Sequence, residues 1–390
     1  MAKELAFALL NPYTLQKSRT GGVIGRLIVR TGMDPVAARM FGPSRELVEK
    51  YAEMVRRHNT STEHDAKVSQ LLADYILSNY MPDPDTDRRC RVMMLLFEGE
   101  NAIEKVNQAV GPLQPPTESA DTVRATYGDL ILDEEGEVKY LEPAVIAGPN
   151  REAVIESLQL WAAYSESDGG CLLDASDVSA GDDVEKTLVM LKPDNFRFPS
   201  IRPGIIIDIF AGSGLRIVGS KVHRMSVEEA EEFYGPVRSA LAGKLKSVAG
   251  ERSATVIEKE LNIQLPDRVR EALAEIVGPL YTDAQFNEII KFMTGLSPED
   301  CSGKERSKAG GERTLALVYA GRNAIDKIRA ILGPTDPSKA LPGSVRKEYG
   351  QSVMVNAAHA SDSRENAERE MRIVRVEQDT IKDWVDRYYG

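Results

Sequence analysis

The residue best suited to chemistry in this sequence is His359, in the segment Val355-Asn-Ala-Ala-His-Ala-Ser-Asp-Ser363. An apolar strand is predicted to end in this loop of small residues, and a helix is predicted to begin near Ser363. The small neighbours leave room for a ligand beside the imidazole, and the backbone amides of a helix start favour negative charge. A neutral imidazole is an adequate nucleophile at physiological pH. The segment therefore predicts a histidine presented to an anionic ligand.

The other three histidines are weaker candidates. His58 and His64 lie in the polar stretch Arg56-Arg-His-Asn-Thr-Ser-Thr-Glu-His64, and we expect both to be solvated. His223 closes a predicted strand beside Lys221 and Arg224, where a structural role is expected. A single loop histidine is by itself more often structural than catalytic, so the assignment of His359 depends on the residues around it.

Composition excludes several classes of protein. The chain has 390 residues, enough for two domains, with 42% hydrophobic and 28% charged residues, which is typical of ordinary globular proteins. A net charge of -11 argues against nonspecific attraction to nucleic acid or an anionic membrane. The three cysteines are few and far apart, which favours a reducing compartment, and no apolar run is long enough to span a membrane. We therefore expect a cytoplasmic protein with no nucleic-acid or membrane partner.

The chain contains two copies of one unit. Residues 91–112 and 313–334 share Gly, Asn-Ala-Ile, Lys and Gly-Pro at a constant separation of 222 positions, and Val123-Arg124 recurs as Val345-Arg346 in the same register. Near the start of each copy, residues 8–12 and 189–193 correspond at a separation of 181. Because the two separations differ, the second copy must hold extra residues in its middle.

Local patterns predict the boundaries and the fold. We place the first domain at 1–164, a Ser-, Gly- and Asp-rich exposed linker at 165–185, and the second domain at 186–390 with a helical insertion at about 236–281. The second copy shows predicted strands at 187–191, 215–222, 314–319 and 352–355, and helices beginning near 204, 227, 323 and 363. This βαββαβ order predicts an α+β fold: two tandem ferredoxin-like domains, each an antiparallel sheet with helices.

At this point the sequence resembles a known family. Asn356-Ala-Ala-His359-Ala-Ser361-Asp-Ser363 is similar to the active-site signature Asn-x-x-His-x-Ser-Asp-Ser of nucleoside diphosphate kinases. The resemblance extends through Leu191-Lys-Pro-Asp194, Gly333-Pro-Thr-Asp-Pro337 and Leu341-Pro-Gly-Ser-Val-Arg346, and covers most of residues 186–375. It implies ping-pong transfer of the γ-phosphoryl group from a nucleoside triphosphate to a nucleoside diphosphate, through a phosphohistidine at His359.

The resemblance also implies which groups neutralise the phosphates. Lys192, Arg329 and Arg346 would hold the phosphate oxygens, and Thr335 would add a hydroxyl donor. The Mg²⁺ cofactor would bridge the β- and γ-phosphates, without direct ligands from the protein. Most of the barrier to phosphoryl transfer is lowered by such positioning and charge neutralisation.

Further roles follow from the same resemblance. Asn356 would contact the sugar hydroxyls, and Glu370 would accept from the second ring nitrogen of the histidine and fix its tautomer. Ser361 would assist near the leaving oxygen. Tyr234 matches the family's active-site tyrosine, and Phe286 is the candidate for stacking on the base, which would give loose base selectivity.

The first copy has lost these groups. Asn11, Asn107 and Leu113 stand where the second copy has Lys192, Arg329 and Thr335, and Ile146 lies nearest the place of the histidine. Arg124 alone remains among the phosphate cations. An acidic hairpin turning at Glu135-Gly136 is predicted after Tyr127-Gly128. We therefore expect a pseudo-active copy that replaces one partner subunit, within a chain that forms homo-oligomers.

The insertion and the activity each leave alternatives open. The insertion contains amphipathic helical spacing at 254–261 and 269–277, consistent with a lid, an oligomer contact or a surface subdomain. Two rivals to a tandem kinase with one working site keep the same fold. One is a noncatalytic nucleotide-binding scaffold, and the other is a phosphotransferase that passes the histidine phosphate to a protein.

Overall fold

A computed structural model describes residues 3–58, 62–114, 121–175 and 183–390 of the chain. It divides into two compact units, one made of residues 1–223 and 314–390 and the other of residues 224–313. The first copy contains these strands and helices: β1 (Lys3–Leu10), α1 (Pro12–Gln16), α2 (Thr20–Thr31), β2 (Pro35–Phe41), α3 (Arg45–Arg57), α4 (Glu63–Asn79), β3 (Val92–Glu100), α5 (Ala102–Val110), α6 (Val123–Tyr127), β4 (Asp129–Leu132), β5 (Val138–Glu142), β6 (Val145–Ile146), α7 (Arg151–Ala163) and α8 (Ser165–Asp168).

The second copy repeats this order with fewer strands. Its elements are β7 (Val184–Leu191), α9 (Arg202–Ala211), β8 (Arg216–His223), α10 (Val227–Leu261), α11 (Asp267–Thr294), β9 (Thr314–Arg322), α12 (Ala324–Leu332), α13 (Val345–Tyr349), β10 (Ala358–Ala360), α14 (Arg364–Val374) and α15 (Ile381–Tyr389). Within the described ranges, none of the helices is both long and apolar enough to cross a bilayer.

Both copies have the predicted ferredoxin-like topology. Among the described residues, one sheet has the order β2-β3-β1-β6 and the other the order β10-β7-β9-β8, and each consists of antiparallel pairs. The central strands are apolar and buried along most of their length, as in Leu5 to Leu10 of β1, so both of their faces are covered. The α+β fold class is confirmed.

The helical unit consists mainly of α10 and α11, which pack against each other. The predicted helices at 254–261 and 269–277 are confirmed as segments of these two much longer helices. Ser226 and Glu229 form a capping box at the start of α10, and Asn262 ends it with a left-handed φ of 53°. The residues around 236–281 therefore lengthen a helical hairpin.

One predicted strand is wrong. Residues 352–355 form a turn in which the backbone amides of Gln351 and Ser352 donate to the carbonyl of Val355, at 2.7 and 3.1 Å. The strand begins later, at Ala358, after Ala357 has adopted a left-handed φ of 70°. The β-branched residues at 353 and 355 favour a strand locally. In the turn, however, the carbonyl of Val355 already accepts two backbone hydrogen bonds, so it needs no partner in a sheet.

The predicted exposed linker is wrong over its first residues. Ser165 and Asp168 lie on the short helix α8 and are buried. Beyond them, the amide of Gly170 donates to the carbonyl of Met40 in β2 at 3.0 Å, and the amide of Leu172 donates to that of Val218 in β8 at 2.8 Å. The chain after the first copy is therefore held between two strands because it satisfies their backbone groups. Residues 176–182 of the predicted linker lie outside the described residues.

The two copies pack through equivalent elements. Helix α2 contacts α9, and strand β2 contacts β8, which are the same two elements taken from each copy. Gly21 and Gly204 permit the close helix crossing, since a Cβ on either would lie 2.1 or 2.2 Å from the carbonyl oxygen of the other. The Asp208 carboxylate accepts from the amides of Gly21 and Gly22 at the start of α2, while burial raises its pKa to about 6.

The close crossing of α2 and α9 predicts that one added methyl group at Gly204 lowers the stability of the protein. Gly204→Ala should lower the free energy of unfolding by about 1–3 kcal/mol, because the new Cβ meets backbone atoms that cannot rotate away. Urea denaturation followed by circular dichroism measures it. The matched control is Gly243→Ala in α10, where nothing lies within 4 Å of the new methyl and stability should stay level or rise. Equal stability of both variants would contradict the proposed packing constraint.

Candidate active site

The backbone fixes the position of His359. Strand β10 pairs with β7 so that His359 lies opposite Met190 and Ala358 lies opposite Leu191. The preceding residue Ala357 has a left-handed φ of 70°, and its carbonyl accepts from the amide of Lys192 at 2.9 Å and from Asn195 Nδ2 at 2.7 Å. Two donors on one carbonyl hold a conformation that alanine rarely adopts. His359 is thereby presented from an edge strand of the sheet.

A carboxylate orients the imidazole. His359 Nε2 lies 2.8 Å from Glu370 Oε2, and the Ser361 hydroxyl donates to the same oxygen at 2.7 Å. The Glu370 side chain is 5% exposed and that of His359 is 21% exposed, so the bond is shielded while the ring keeps access to solvent. When Nε2–H donates to Glu370, the neutral imidazole carries its lone pair on Nδ1. The predicted contact between Glu370 and the ring is present, and Ser361 supports the carboxylate.

Lys192 lies at the end of β7, where it is buried. Its Nζ donates to the carbonyl of Met354 at 2.5 Å and to Asn356 Oδ1 at 3.0 Å. Burial lowers the pKa of Lys192 to about 8, and the nearby Arg346 lowers it further, while Asp194 opposes the shift. A lysine held at this pKa gains more from an approaching phosphate than an exposed lysine does, because water competes less for the ammonium.

Arg346 is held by the backbone. Its Nη1 donates to the carbonyl of Gly333 at 2.9 Å and its Nη2 to that of Ala358 at 3.2 Å, so the guanidinium lies against the strand that carries the histidine. A second arginine, Arg202, donates to Asp194 Oδ2 at 2.8 Å and to the carbonyl of Tyr349 at 2.7 Å. This pair braces the residues after Lys192 against the end of α13, and the resemblance alone did not assign a role to Arg202.

The two remaining predicted phosphate ligands are exposed, whereas the predicted sugar ligand is buried. Arg329 is exposed on α12, a helix that packs on β10, and Thr335 is exposed in the following loop. Asn356 is buried, and its Nδ2 donates to the carbonyls of Thr335 at 3.1 Å and Val353 at 2.8 Å. Asn356 therefore ties the Thr335 loop to Lys192.

Tyr234 and Phe286 belong to the helical unit. Both side chains are buried, on α10 and α11 respectively. The Tyr234 ring lies 4.9 Å from that of Phe233, and the Arg238 guanidinium lies 5.6 Å from the centre of the Phe286 ring. Their predicted roles, as active-site tyrosine and base-stacking residue, stay predictions.

Sequence reasoning missed Asn195. Its equivalent in the first copy is Thr14, whose hydroxyl donates to the carbonyl of Ala144 at 2.8 Å as Asn195 donates to that of Ala357. Ala144 also has a left-handed φ, of 58°. The signal available in the sequence was the recurrence of a polar residue at the separation of 181, four positions after the end of each first strand.

The first copy keeps this backbone without the chemistry. Ile146 lies opposite Leu9 in the sheet, in the register that places His359 opposite Met190, so the predicted equivalence of Ile146 and His359 is confirmed. Arg124 donates to the carbonyls of Gly111 and Val145 as Arg346 does to those of Gly333 and Ala358.

In the first copy, a buried polar network occupies the place that Lys192 has in the second copy. Asn11 Nδ2 donates to Glu142 Oε1 at 3.2 Å, and the hydroxyls of Tyr80 and Tyr75 donate to Asn11 Oδ1 and Glu142 Oε2, both at 2.6 Å. A buried carboxylate therefore lies beside Asn11, the counterpart of Lys192.

A carboxylate-oriented histidine next to a strand that ends in a buried lysine, on a ferredoxin-like sheet, defines a nucleotide-binding transferase. The sequence profile described as nucleoside diphosphate kinase matches residues 4–135 and 306–379. The nucleoside diphosphate kinase of Staphylothermus marinus is 32% identical over 201 residues, which are 52% of this chain and 99% of that protein. That of Chlamydia trachomatis is 32% identical over 184 residues, covering 47% of this chain and 87% of that protein.

A solved structure is also similar. The crystal structure of an NDP kinase from Pyrobaculum aerophilum is 28% identical, with coverage of 49% of this chain and 94% of that chain and a TM-score of 0.31. From the profile and the curated relatives, the chain belongs to the nucleoside diphosphate kinase family of enzymes, as a protein with two tandem copies.

The lowered pKa of Lys192 predicts a pH dependence of nucleotide binding. As pH rises through about 8 the ammonium of the unliganded protein loses its proton, whereas a bound diphosphate holds that proton to higher pH. The affinity for ADP should therefore be full at about pH 7 and fall by up to about tenfold per pH unit above about pH 8. Isothermal titration across this range measures it.

Lys192→Met is the matched control for this titration. It keeps the length of the side chain without the charge, so it should bind ADP weakly at every pH and show no break near pH 8. If the parent protein and Lys192→Met had parallel pH profiles, the titrating group would not be Lys192.

Proposed function

We propose that this chain transfers the γ-phosphoryl group of a nucleoside triphosphate to a nucleoside diphosphate through a phosphohistidine at His359. The observation that carries the proposal is the Nε2 to Glu370 hydrogen bond, which directs the lone pair of the ring to Nδ1. In the first step Nδ1 forms a bond to the γ-phosphorus while the bond from that phosphorus to the β-bridging oxygen breaks, and the diphosphate leaves. In the second step a β-phosphate oxygen of another nucleoside diphosphate forms a bond to that phosphorus, the bond from Nδ1 to the phosphorus breaks, and the neutral imidazole is restored.

Charge neutralisation would come from the cations near the strand end. Lys192, already freed from competing water by burial, would contact the phosphates together with Arg346. Arg329 and Thr335 are exposed and would close on the phosphate chain when a nucleotide binds. Asn356 would use the second lone pair of Oδ1 for a sugar hydroxyl. Tyr234 and Phe286 are kept as candidates for the active-site tyrosine and the base-stacking residue.

The side chains around His359 fit a nucleotide that brings its own Mg²⁺. Lys192 and Arg346 are cationic donors, and the Glu370 carboxylate is engaged by His359 and Ser361. Across residues 3–58, 62–114, 121–175 and 183–390, no group of three or more His, Cys, Asp or Glu side chains is arranged to hold a metal ion. Mg²⁺ would arrive with the nucleotide phosphates and would help to neutralise the developing charge.

The first copy would act as an internal partner subunit. An interface that uses the same elements from both sides is typical of a two-fold dimer of identical subunits. Here α2 with α9 and β2 with β8 reproduce that arrangement within one chain. We propose that the first copy replaces a subunit of the family's usual dimer, and that whole chains associate further. The three free cysteines favour the cytoplasm as the place of the reaction.

The decisive experiment follows the labelled γ-phosphoryl group of ATP to the protein and then to GDP. The purified chain is incubated with γ-labelled ATP and Mg²⁺, freed of nucleotide, and then given GDP. The proposal expects one acid-labile phosphate per chain on the peptide containing His359, and its transfer to GDP. His359→Ala should take up no label while still binding ADP. No label on the parent protein would favour a noncatalytic scaffold, and label that passes to protein but not to GDP would favour a protein phosphotransferase.

The orienting carboxylate gives a second test. Glu370→Gln keeps the acceptor oxygen but removes the charge that stabilises the ring, so kcat should fall on the order of tenfold to a hundredfold with KM little changed. Steady-state exchange kinetics measure both constants. Glu368→Gln removes the same charge from an exposed position on α14 and should leave kcat at the parent value. A rise in KM with kcat unchanged in Glu370→Gln would contradict the orienting role.

A further inference from the structure

The first copy contains a cavity of about 490 Å³. It lies between helices α3 and α4, the hairpin formed by β4 and β5, and the end of β6. Among the described residues its lining is dominated by aliphatic side chains: Leu72, Leu113, Leu130, Leu132, Leu141 and Ile146. A volume of this size falls within the range of about 300–1,000 Å³ that is typical of small-molecule sites.

This cavity occupies the place that the active site has in the second copy. Ile146 takes the position of His359 in the sheet, and Arg124 makes the same backbone bonds as Arg346. Asn107 and Leu113, the counterparts of Arg329 and Thr335, also line it. The first copy has therefore kept a cleft at this place while exchanging its cationic and nucleophilic groups for apolar ones.

Most polar groups of the lining are already engaged. Asn107 Nδ2 donates to the carbonyls of Gly148 at 2.8 Å and Pro149 at 3.3 Å, and Lys67 pairs with the Glu137 carboxylate at 3.1 Å. His58, expected to be solvated, is 12% exposed and lies 3.1 Å from Glu156 Oε2, so that expectation was wrong. Within the described part of the chain, Arg124 Nε is buried with no hydrogen-bond partner, so the guanidinium of a residue that lines the cavity keeps an unpaired donor.

We propose that the first copy binds one small, mainly apolar molecule that carries no more than one negative charge, and that it does not bind nucleoside triphosphates. Burial of a hydrocarbon or aromatic body against the aliphatic side chains is favourable, and the Arg124 guanidinium can donate a hydrogen bond to a single anionic group. A triphosphate would have to lose its hydration against leucine side chains, with the Glu142 carboxylate buried nearby. The inference stands on the first copy alone and does not depend on catalysis at His359.

The probe is 8-anilinonaphthalene-1-sulfonate, an aromatic molecule with one negative charge. The full chain is titrated with it in the presence of saturating ADP and Mg²⁺, and fluorescence is followed. We expect saturable binding of one probe per chain that ADP does not displace, and a rise in the melting temperature with probe concentration. Displacement by ADP, or binding without saturation, would overturn the proposal.

Two neighbouring residues of β4 supply matched variants. Leu132 lines the cavity and is 39% exposed, whereas Ile131 is 52% exposed and is not part of the lining. Leu132→Asp should weaken probe binding by at least about tenfold, because it places a charge against the apolar ligand, and Ile131→Asp should leave it unchanged. Equal effects of the two variants would overturn the site.

A third variant separates loss of the site from loss of the fold. Leu132→Trp keeps the position apolar and narrows the cavity, so it should also weaken the probe while the circular dichroism spectrum stays that of the parent. Unchanged probe binding in Leu132→Trp would place the probe elsewhere on the chain.

Discussion

The pairing of the three-residue strand β10 with β7 is the constraint on which the site depends. It fixes the register that brings His359 beside Met190, and it requires the left-handed turn at Ala357 just before. That turn is held by two donors on one carbonyl, from Lys192 and Asn195. Lys192 therefore has two roles. Its backbone amide holds the turn at Ala357, and its side-chain ammonium lies in the site.

The first copy has the same backbone arrangement but lacks the histidine and the lysine. In the first copy the turn at Ala144, the donor at Thr14 and the arginine at 124 all persist, yet the strand presents Ile146. The first strand ends in Asn11, tied to a buried carboxylate at Glu142. The backbone arrangement can therefore be kept while the histidine and the lysine are lost. At the end of its first strand, the second copy has the Lys192 side chain, and the first copy has Asn11 beside the buried Glu142 carboxylate. The same retention of the backbone explains how a cleft can remain where the first copy has Asn11, Asn107 and Leu113 in place of Lys192, Arg329 and Thr335.

The contact between the copies adds a second constraint. Equivalent helices cross so closely that glycine is required on both, and a carboxylate of one copy accepts from the first amides of the other copy's helix. The segment after α8 fills the space between β2 and β8 with backbone hydrogen bonds. Both features make the first copy part of the packing of the second, which is a structural reason for a chain to keep a copy that lacks a nucleophile.

The sequence by itself determined the repeat, the ferredoxin-like order of elements, the family and the histidine with its partner Glu370. The repeat and the order of elements follow from local periodicity and from spacings along one chain, which folding does not alter. The family and the pairing of His359 with Glu370 are implied by the resemblance of residues 356–363 to a known signature. The sequence misplaced the last strand at 352–355, because strand propensity there is overruled by a turn whose closing carbonyl belongs to Val355.

Only the tertiary structure decided the environment of each group. The bond from Lys192 to Asn356 and the bond from Asn195 to the carbonyl of Ala357 both join residues more than 150 positions apart. Asn356 in turn reaches the Thr335 loop, 21 positions away. The engagement of His58 and the apolar cavity beside Ile146 likewise arise from helices and hairpins brought together by folding. Desolvation and hydrogen-bond partnership are properties of the packed chain, since they depend on which distant segments exclude water from a side chain.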